Sequence, residues 1–198
     1  RAQNRKVDIM NKTNRILVAL ALASSTLAGS AVVANYHKMS NPTVGGAAMF
    51  PAKTIAENAS AAPNLTTLVA AASAAGLVET LASPGPFTVF APTNDAFAKL
   101  PAGTIDTLVK PENKATLTKI LTYHVVAGKL TAKDIVGAIK AGGGKASLTT
   151  VAGEKLSARL SGNSVVITDG KGGQSAVTTV DVMQSNGVVH VIDSVLLP

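Results

Sequence analysis

His190 and Asp193 stand three positions apart in "GVVHVIDSVLLP" (residues 187–198), and an imidazole beside a carboxylate is the pairing that orients a general base. The run around them is apolar and strand-like. In an extended strand side chains alternate faces, so His190 points with Val188, Ile192 and Leu196, and Asp193 with Val189, Val191 and Val195. Their odd separation puts the two on opposite faces, and only a bulge between them would make a dyad. Both faces are apolar. The strand is therefore expected to be buried on both sides, with His190 as a structural residue whose ring nitrogens find hydrogen-bond partners.

No other constellation in the chain offers catalysis. His37, His124 and His190 fall in a polar segment, at a helix end and in a core strand; there is no cysteine, and no pair has the spacing of a zinc motif. Gly-x-Ser-x-Gly is absent. "AGGGKA" (141–146) lacks the hydroxyl residue after Lys145 and the glycine five places before Gly144 that a phosphate loop needs, so the triple glycine reads as a helix stop. The reading is a non-enzymatic chain with no catalytic, cofactor or metal site.

The elements that must position these residues divide into two halves. In "NLTTLVAAASAAGL" (64–77) the spacing of Leu65, Leu68, Val69, Ala72 and Leu77 predicts a helix with Asn64 as N-cap and Gly76 near its stop. A strand follows at Phe87–Ala91. After Pro92, Thr93 or Asn94 is placed to cap a short helix, with Asp95 in its first turn where the helix dipole favours negative charge. "TIDTLVK" reads as one or two helical turns. Pro111 and Glu112 suit the first turn of a helix that aligns Leu117, Ile120 and Leu121, and Thr131 caps a last helix. From Ala146 the period becomes two, in strand-length runs separated by Gly, Asn and Asp. Helices followed by a β-rich half predict an α+β domain.

The ends and composition narrow the setting. From Met10, a basic stretch (Lys12, Arg15), the apolar "ILVALALA" and small residues ending "GSAVVA" have the three-part layout of a secretory signal peptide, with cleavage expected after Ala34. The rival reading is a retained anchor, since no charge falls between Ile16 and Tyr36 and a span needs about 20 apolar residues. The expected organisation is a leader over 1–34, a linker or loosely packed arm over 35–53 and one domain over 54–198. The chain's formal net charge is +7, but five of its 18 Lys and Arg and one of its 11 acids belong to the leader. With the remaining lysines scattered and no aromatic stacking surface, nucleic acid is not an expected partner. Without cysteine, and with only two Tyr and four Phe in the chain, the domain must be held by a Val, Leu, Ile and Ala core.

"FTVFAPTNDAF" (87–97), "TYHVVAGKL" (122–130) and "NGVVHVIDSVLLP" (186–198), in this order and at about this separation, resemble the fasciclin domain family from about Thr54 to Pro198. "NPTVGGAAMFPAKTIAENA" is similar to the opening segment of secreted bacterial members. The resemblance implies a β-wedge of two sheets with several short helices packed against it. It also implies a secreted, periplasmic or cell-surface protein, able to act as a monomer without a membrane span in its mature form. Its expected role is adhesion or extracellular interaction with a cell-surface or matrix component, protein or polysaccharide. It further implies candidate partner-binding residues: Tyr123 and His124 in the Tyr-His segment, and Asp181 and Val182, which match an Asp-Ile pair tied to integrin recognition in animal members, with Val here in place of Ile. For Tyr123 and His124 the residues themselves support another reading, that phenol and imidazole tie a helix end to backbone. For Asp181 the other reading is a polar residue that discourages pairing at a strand edge. The alternative function is binding of a small apolar or sugar-like ligand in a pocket between the sheets.

Overall fold

The computed structural model describes residues 41–198, and the expected leader, residues 35–40 and His37 lie outside the described residues. Two short strands, β1 (Thr43–Val44) and β2 (Ala47–Ala48), form a hairpin about Gly45 and Gly46, both in the left-handed region. From Asn41 onward, this segment differs from the expected loose arm. Val44 and Met49 are buried in the main core, and the side-chain amide of Asn41 both donates to the Met183 carbonyl and accepts from the Met183 N–H. The Lys53 carbonyl accepts from the Ser185 N–H, and Asn58 bonds both backbone groups of Phe50. Residues 41–53 therefore belong to the same compact unit as the chain from Thr54 onward. A core poor in large side chains is the physical reason: Val44 and Met49 supply apolar volume that the domain otherwise lacks.

Helix α1 (Ile55–Ala61) begins with a capping box between Thr54 and Glu57. Helix α2 (Thr66–Ala75) ends at Gly76, as its left-handed C-cap requires. Its start departs from expectation, because Leu65 occupies the N-cap position and Asn64 gives no cap. The missing acceptor comes from α4 (Asn94–Ala98): the Asn94 carbonyl oxygen accepts from Thr67 N–H, and its amide donates to Pro63 O. Thr93 caps α4 by accepting from Ala96 N–H, and Asp95 lies exposed in its first turn. Between these come α3 (Val78–Ala82) and β3 (Phe87–Pro92). Helix α5 spans Thr104–Leu108. A 3-10 turn at Pro111–Asn113 leads into α6 (Lys114–Tyr123) and β4 (Val125–Ala127), and α7 (Ala132–Ala141) opens with a Thr131–Asp134 capping box.

The β-rich half supplies β5 (Lys145–Thr149), β6 (Lys155–Ser161), β7 (Ser164–Thr168), β8 (Gln174–Gln184) and β9 (Gly187–Ile192). Their order is β4-β3-β9-β8-β7-β6-β5, with only the β3–β9 pair parallel. Strand β8 belongs to both halves of this run. Gln174–Ala176 pair with β7, the part from Val177 onward pairs with β9, and two register shifts lie between Val177 and Val182. Bulges bend and twist a strand, which lets β8 serve two sheets at an angle. The far ends meet again where Val126 bridges Thr150. The result is an α+β domain whose β-wedge carries helices on its flank.

Two cores follow from this bend. The outer one packs α1, α2 and α6 on the Val89, Ala91, Val182, Val189 and Val191 face of the sheet. The inner one fills the wedge beneath α7 with Phe90, Tyr123, Ile139, Leu156, Ile167 and Ile192. All six residues of β9 are buried, because its alternate side chains enter the two cores. Phe90 is buried in the inner core and Phe97 in the outer one. Replacing either with Ala is expected to cost about 3–5 kcal/mol, the usual range for a buried Phe, measured by urea or guanidinium unfolding. A midpoint that hardly moves would place that ring outside the packed core.

Candidate functional site

His190 and Asp193 are not partners. His190 is buried; its Nε2–H donates to the Leu130 carbonyl at 2.9 Å, and its Nδ1 accepts from the Asp181 N–H at 3.3 Å. This assignment makes it the neutral tautomer with the proton on Nε2. The ring stacks on Phe90 with centroids 5.7 Å apart. Asp193 instead accepts from the Ala176 N–H and the Ser175 hydroxyl, and it pairs with Lys99 at 3.4 Å. Lys99 also donates to the Ser194 hydroxyl. The Ser194 hydroxyl in turn donates to the Asp193 carboxylate at 3.2 Å, so lysine, serine and aspartate form one surface cluster.

Tyr123 and His124 close α6 against the rest of the chain. The Tyr123 hydroxyl accepts from Gly170 N–H, while His124 donates from Nδ1 to Ile120 O at 2.8 Å and accepts at Nε2 from Leu196 N–H at 3.0 Å. Asp169 holds the next residue by accepting from Leu197 N–H. Tyr123 is 0% and His124 2% exposed. The expectation that these two side chains meet a partner is thus corrected: both are filled in by the C-terminal segment and the β7–β8 turn.

The Asp181–Val182 pair is corrected in the same way. Strand β8 lies between β9 and β7 and is not an edge, and Val182 is 0% exposed in the outer core. Asp181 is half-buried at the bulge with φ 55°, a left-handed conformation uncommon for a residue with a Cβ. Its carboxylate accepts from Ala132 N–H at 2.7 Å, adding an acceptor at the start of α7, and its own N–H goes to His190. Asp181 is therefore expected to matter for folding, contrary to its reading as a free edge residue.

Three polar residues escaped the sequence reading. Asn186, in the Asn-Gly turn, is buried; its carbonyl oxygen accepts from Ile55 N–H, and its amide donates to Leu81 O and Ser83 O. Gly187 follows because a Cβ there would collide with the Phe87 carbonyl. Asn58 donates to the side chain of Gln184 as well as to Phe50. The Asn-Gly dipeptide was the only visible signal, and it marks a turn without naming partners far away in sequence.

Among the described residues no group of three or more His, Cys, Asp or Glu could hold a metal ion, and no helix is long and apolar enough to cross a membrane. An apolar cavity of about 50 Å³ lies between α1–α3 and the outer face of the sheet, lined by Leu68, Leu81, Val125 and Val189 among others. Its location differs from the expected pocket between the sheets. It is also far below the roughly 300 Å³ at which ligand pockets begin.

Burial draws the His124 pKa from 6.5 down to about 4, against the opposing pull of its bond to Ile120 and the Asp169 charge. Burial lowers that of His190 too, against its bond to Leu130 and the Asp181 charge. An unfolded chain takes up these protons below about pH 6.5, whereas the native state resists, at His124 until about pH 4, so the stability they contribute is full above 6.5 and falls as pH drops below it. For His124 alone the loss approaches about 3 kcal/mol. Melting temperature measured from pH 7 to 4 should fall, and His124→Leu should lower it at pH 7 yet flatten its slope; an unchanged slope would contradict the assignment. Asp181→Ala should cost about 1–2 kcal/mol through the lost cap and the strained backbone, with Asp181→Asn milder, read by the same unfolding curves.

The geometry can be set beside known proteins. The fasciclin domain model matches residues 63–198. Protein sll1483 of Synechocystis is 48% identical over 155 residues, 78% of this chain and 79% of its own length. Immunogenic protein MPB70 of Mycobacterium bovis is 40% identical over 195 residues, covering 92% and 91%. The cell surface glycolipoprotein MPB83 of the same species is 39% identical over 167 residues, covering 80% and 67%. With a family model spanning most of the chain and relatives matched along most of their length, this chain belongs to the fasciclin domain family.

Proposed function

We propose that this chain is a non-enzymatic extracellular interaction module, exported by its leader, that attaches to a protein or polysaccharide component of a cell surface or matrix. The observation that carries this reading is the saturation, among the described residues, of both histidines and of the two aspartates that pack beside the C-terminal segment. His124 and His190 are each bonded at both ring nitrogens, and Asp169 and Asp193 accept from backbone N–H groups. Such a domain has a rigid frame and an outer surface to recognise with, and these four side chains are committed to structure rather than poised as acid, base or nucleophile. Family membership and a relative named as a cell surface protein support the extracellular setting.

The contact surface is to be sought where side chains reach solvent. Of the four residues first implicated, Asp181 alone is more than marginally accessible, and beside it on the β8 bulge Val180 is 41% exposed. Beads coated with the mature chain should retain cells or matrix more than beads coated with an unrelated protein of similar charge. Val180→Asp, a surface change expected to leave melting almost unaltered, should reduce retention if the bulge is the contact. Equal retention by both bead types would defeat the adhesive reading. N-terminal sequencing of exported protein should begin at or near Asn35, and an intact 16–30 segment would favour the anchor instead.

A further inference from the structure

At the end of the sheet next to the β8–β9 turn, Pro84, Gly85 and Pro86 face Ser185, Asn186 and Gly187 across a cleft of about 330 Å³, with Lys129 also in its wall. We propose that this cleft is a docking surface for a carboxylate-bearing loop of a partner protein; the proposal rests on the interaction-module reading but uses a surface of its own.

The walls of the cleft are fixed by contacts already described. Asn186 is locked by its three side-chain bonds, and its carbonyl accepts from Phe87 N–H. Gly85 lies so close to that carbonyl that a Cβ would strike it. The backbone on both sides of Lys129 is held by Thr88, whose hydroxyl donates to Gly128 O at 2.6 Å and accepts from Leu130 N–H at 2.8 Å. Gly128 N–H bonds to Pro86 O, and the His190 Nε2–H donates to the Leu130 carbonyl. The buried His190 imidazole thus helps to place Lys129, the one charged residue of the cleft among the described residues. Pre-set walls lower the ordering cost of binding.

Charge and shape select the ligand. Among the described residues no acidic side chain lines the cleft, and Lys129 takes part in neither of the two ion pairs formed. Its ammonium is free to make a charge-assisted hydrogen bond to an incoming carboxylate, with the exposed Ser185 hydroxyl beside it. Among the described residues no aromatic ring lines the cleft, so a sugar ring would find no face there to stack on, which favours a peptide carboxylate over a uronate. A second cleft of similar size is lined, among the described residues, by Ala102, Gly103, Thr104, Thr107 and Leu108, none of them charged, and lacks this selectivity.

The test is titration of the 15N-labelled full chain with hexaglutamate, followed by amide chemical shifts, with hexaglutamine and polygalacturonate as the comparison arms. Hexaglutamate should shift the amides of Gly85, Phe87, Lys129, Ser185 and Gly187 and leave the β8 bulge untouched. Lys129→Ala should weaken the binding about threefold and Lys129→Glu about tenfold, with dispersed spectra showing that both remain folded. Salt at about 0.5 M should weaken it too. Shifts elsewhere, indifference to Lys129, or tighter binding of polygalacturonate at the cleft would overturn the proposal. Bead retention by the unaltered chain separates the two readings: retention without any hexaglutamate binding leaves the adhesive reading standing and removes the cleft.

Discussion

Two imidazoles buried without charge join segments of this chain that lie far apart in sequence. His124 ties the end of α6 to the C-terminal segment through Leu196, and His190 ties β9 to the β8 bulge and to the loop before α7. Each does so as donor at one nitrogen and acceptor at the other, which only the neutral ring can do. A protonated ring would present a second N–H to a backbone N–H, so the same two residues that close the wedge make it sensitive to acid. The stack of His190 on Phe90 puts this junction at the centre of the inner core.

Around those junctions the domain is built from small apolar residues. Helix α2 buries Ala71, Ala72 and Ala75 beside Leu68, and the sheet presents Val and Ala in return. Close approach of backbones compensates for the shortage of aromatic volume, but it leaves the apolar cavity under α1–α3 and makes the N-terminal hairpin part of the core. Close approach also constrains the turns: Gly187 and Gly85 sit where no side chain fits, and Asn186 fills the gap with hydrogen bonds. An isolated polar side chain buried in this way is tolerated because every group it carries is satisfied.

For function, the consequence is that residues implied by family resemblance shape the surface from within. Val182, Tyr123 and His124 are core, and Asp181 spends its carboxylate on the start of α7. Loss of binding on altering them would not separate contact from scaffold. The exposed Val180 and Lys129 can make that separation, since neither contributes to a core.

By itself the sequence determined whatever depends on neighbours along the chain. The caps at Thr93 and Thr131, the stop at Gly76, the change of period after residue 145 and the opposite facing of His190 and Asp193 all follow from local sterics and spacing. The motifs at 87–97, 122–130 and 186–198 carried the family and the wedge. The tertiary structure alone decided that β8 is an interior strand shared by two sheets, which buries Val182 and turns Asp181 inward. It alone placed Asn94 over the start of α2 and Asn186 against α1, 27 and 131 residues away, and brought Val44 and Met49 into the core. An exposed position and a buried one can share the same residue type and the same local period. What separates them is which distant segment comes to lie on top, and that is settled by the pairing of strands across the whole domain.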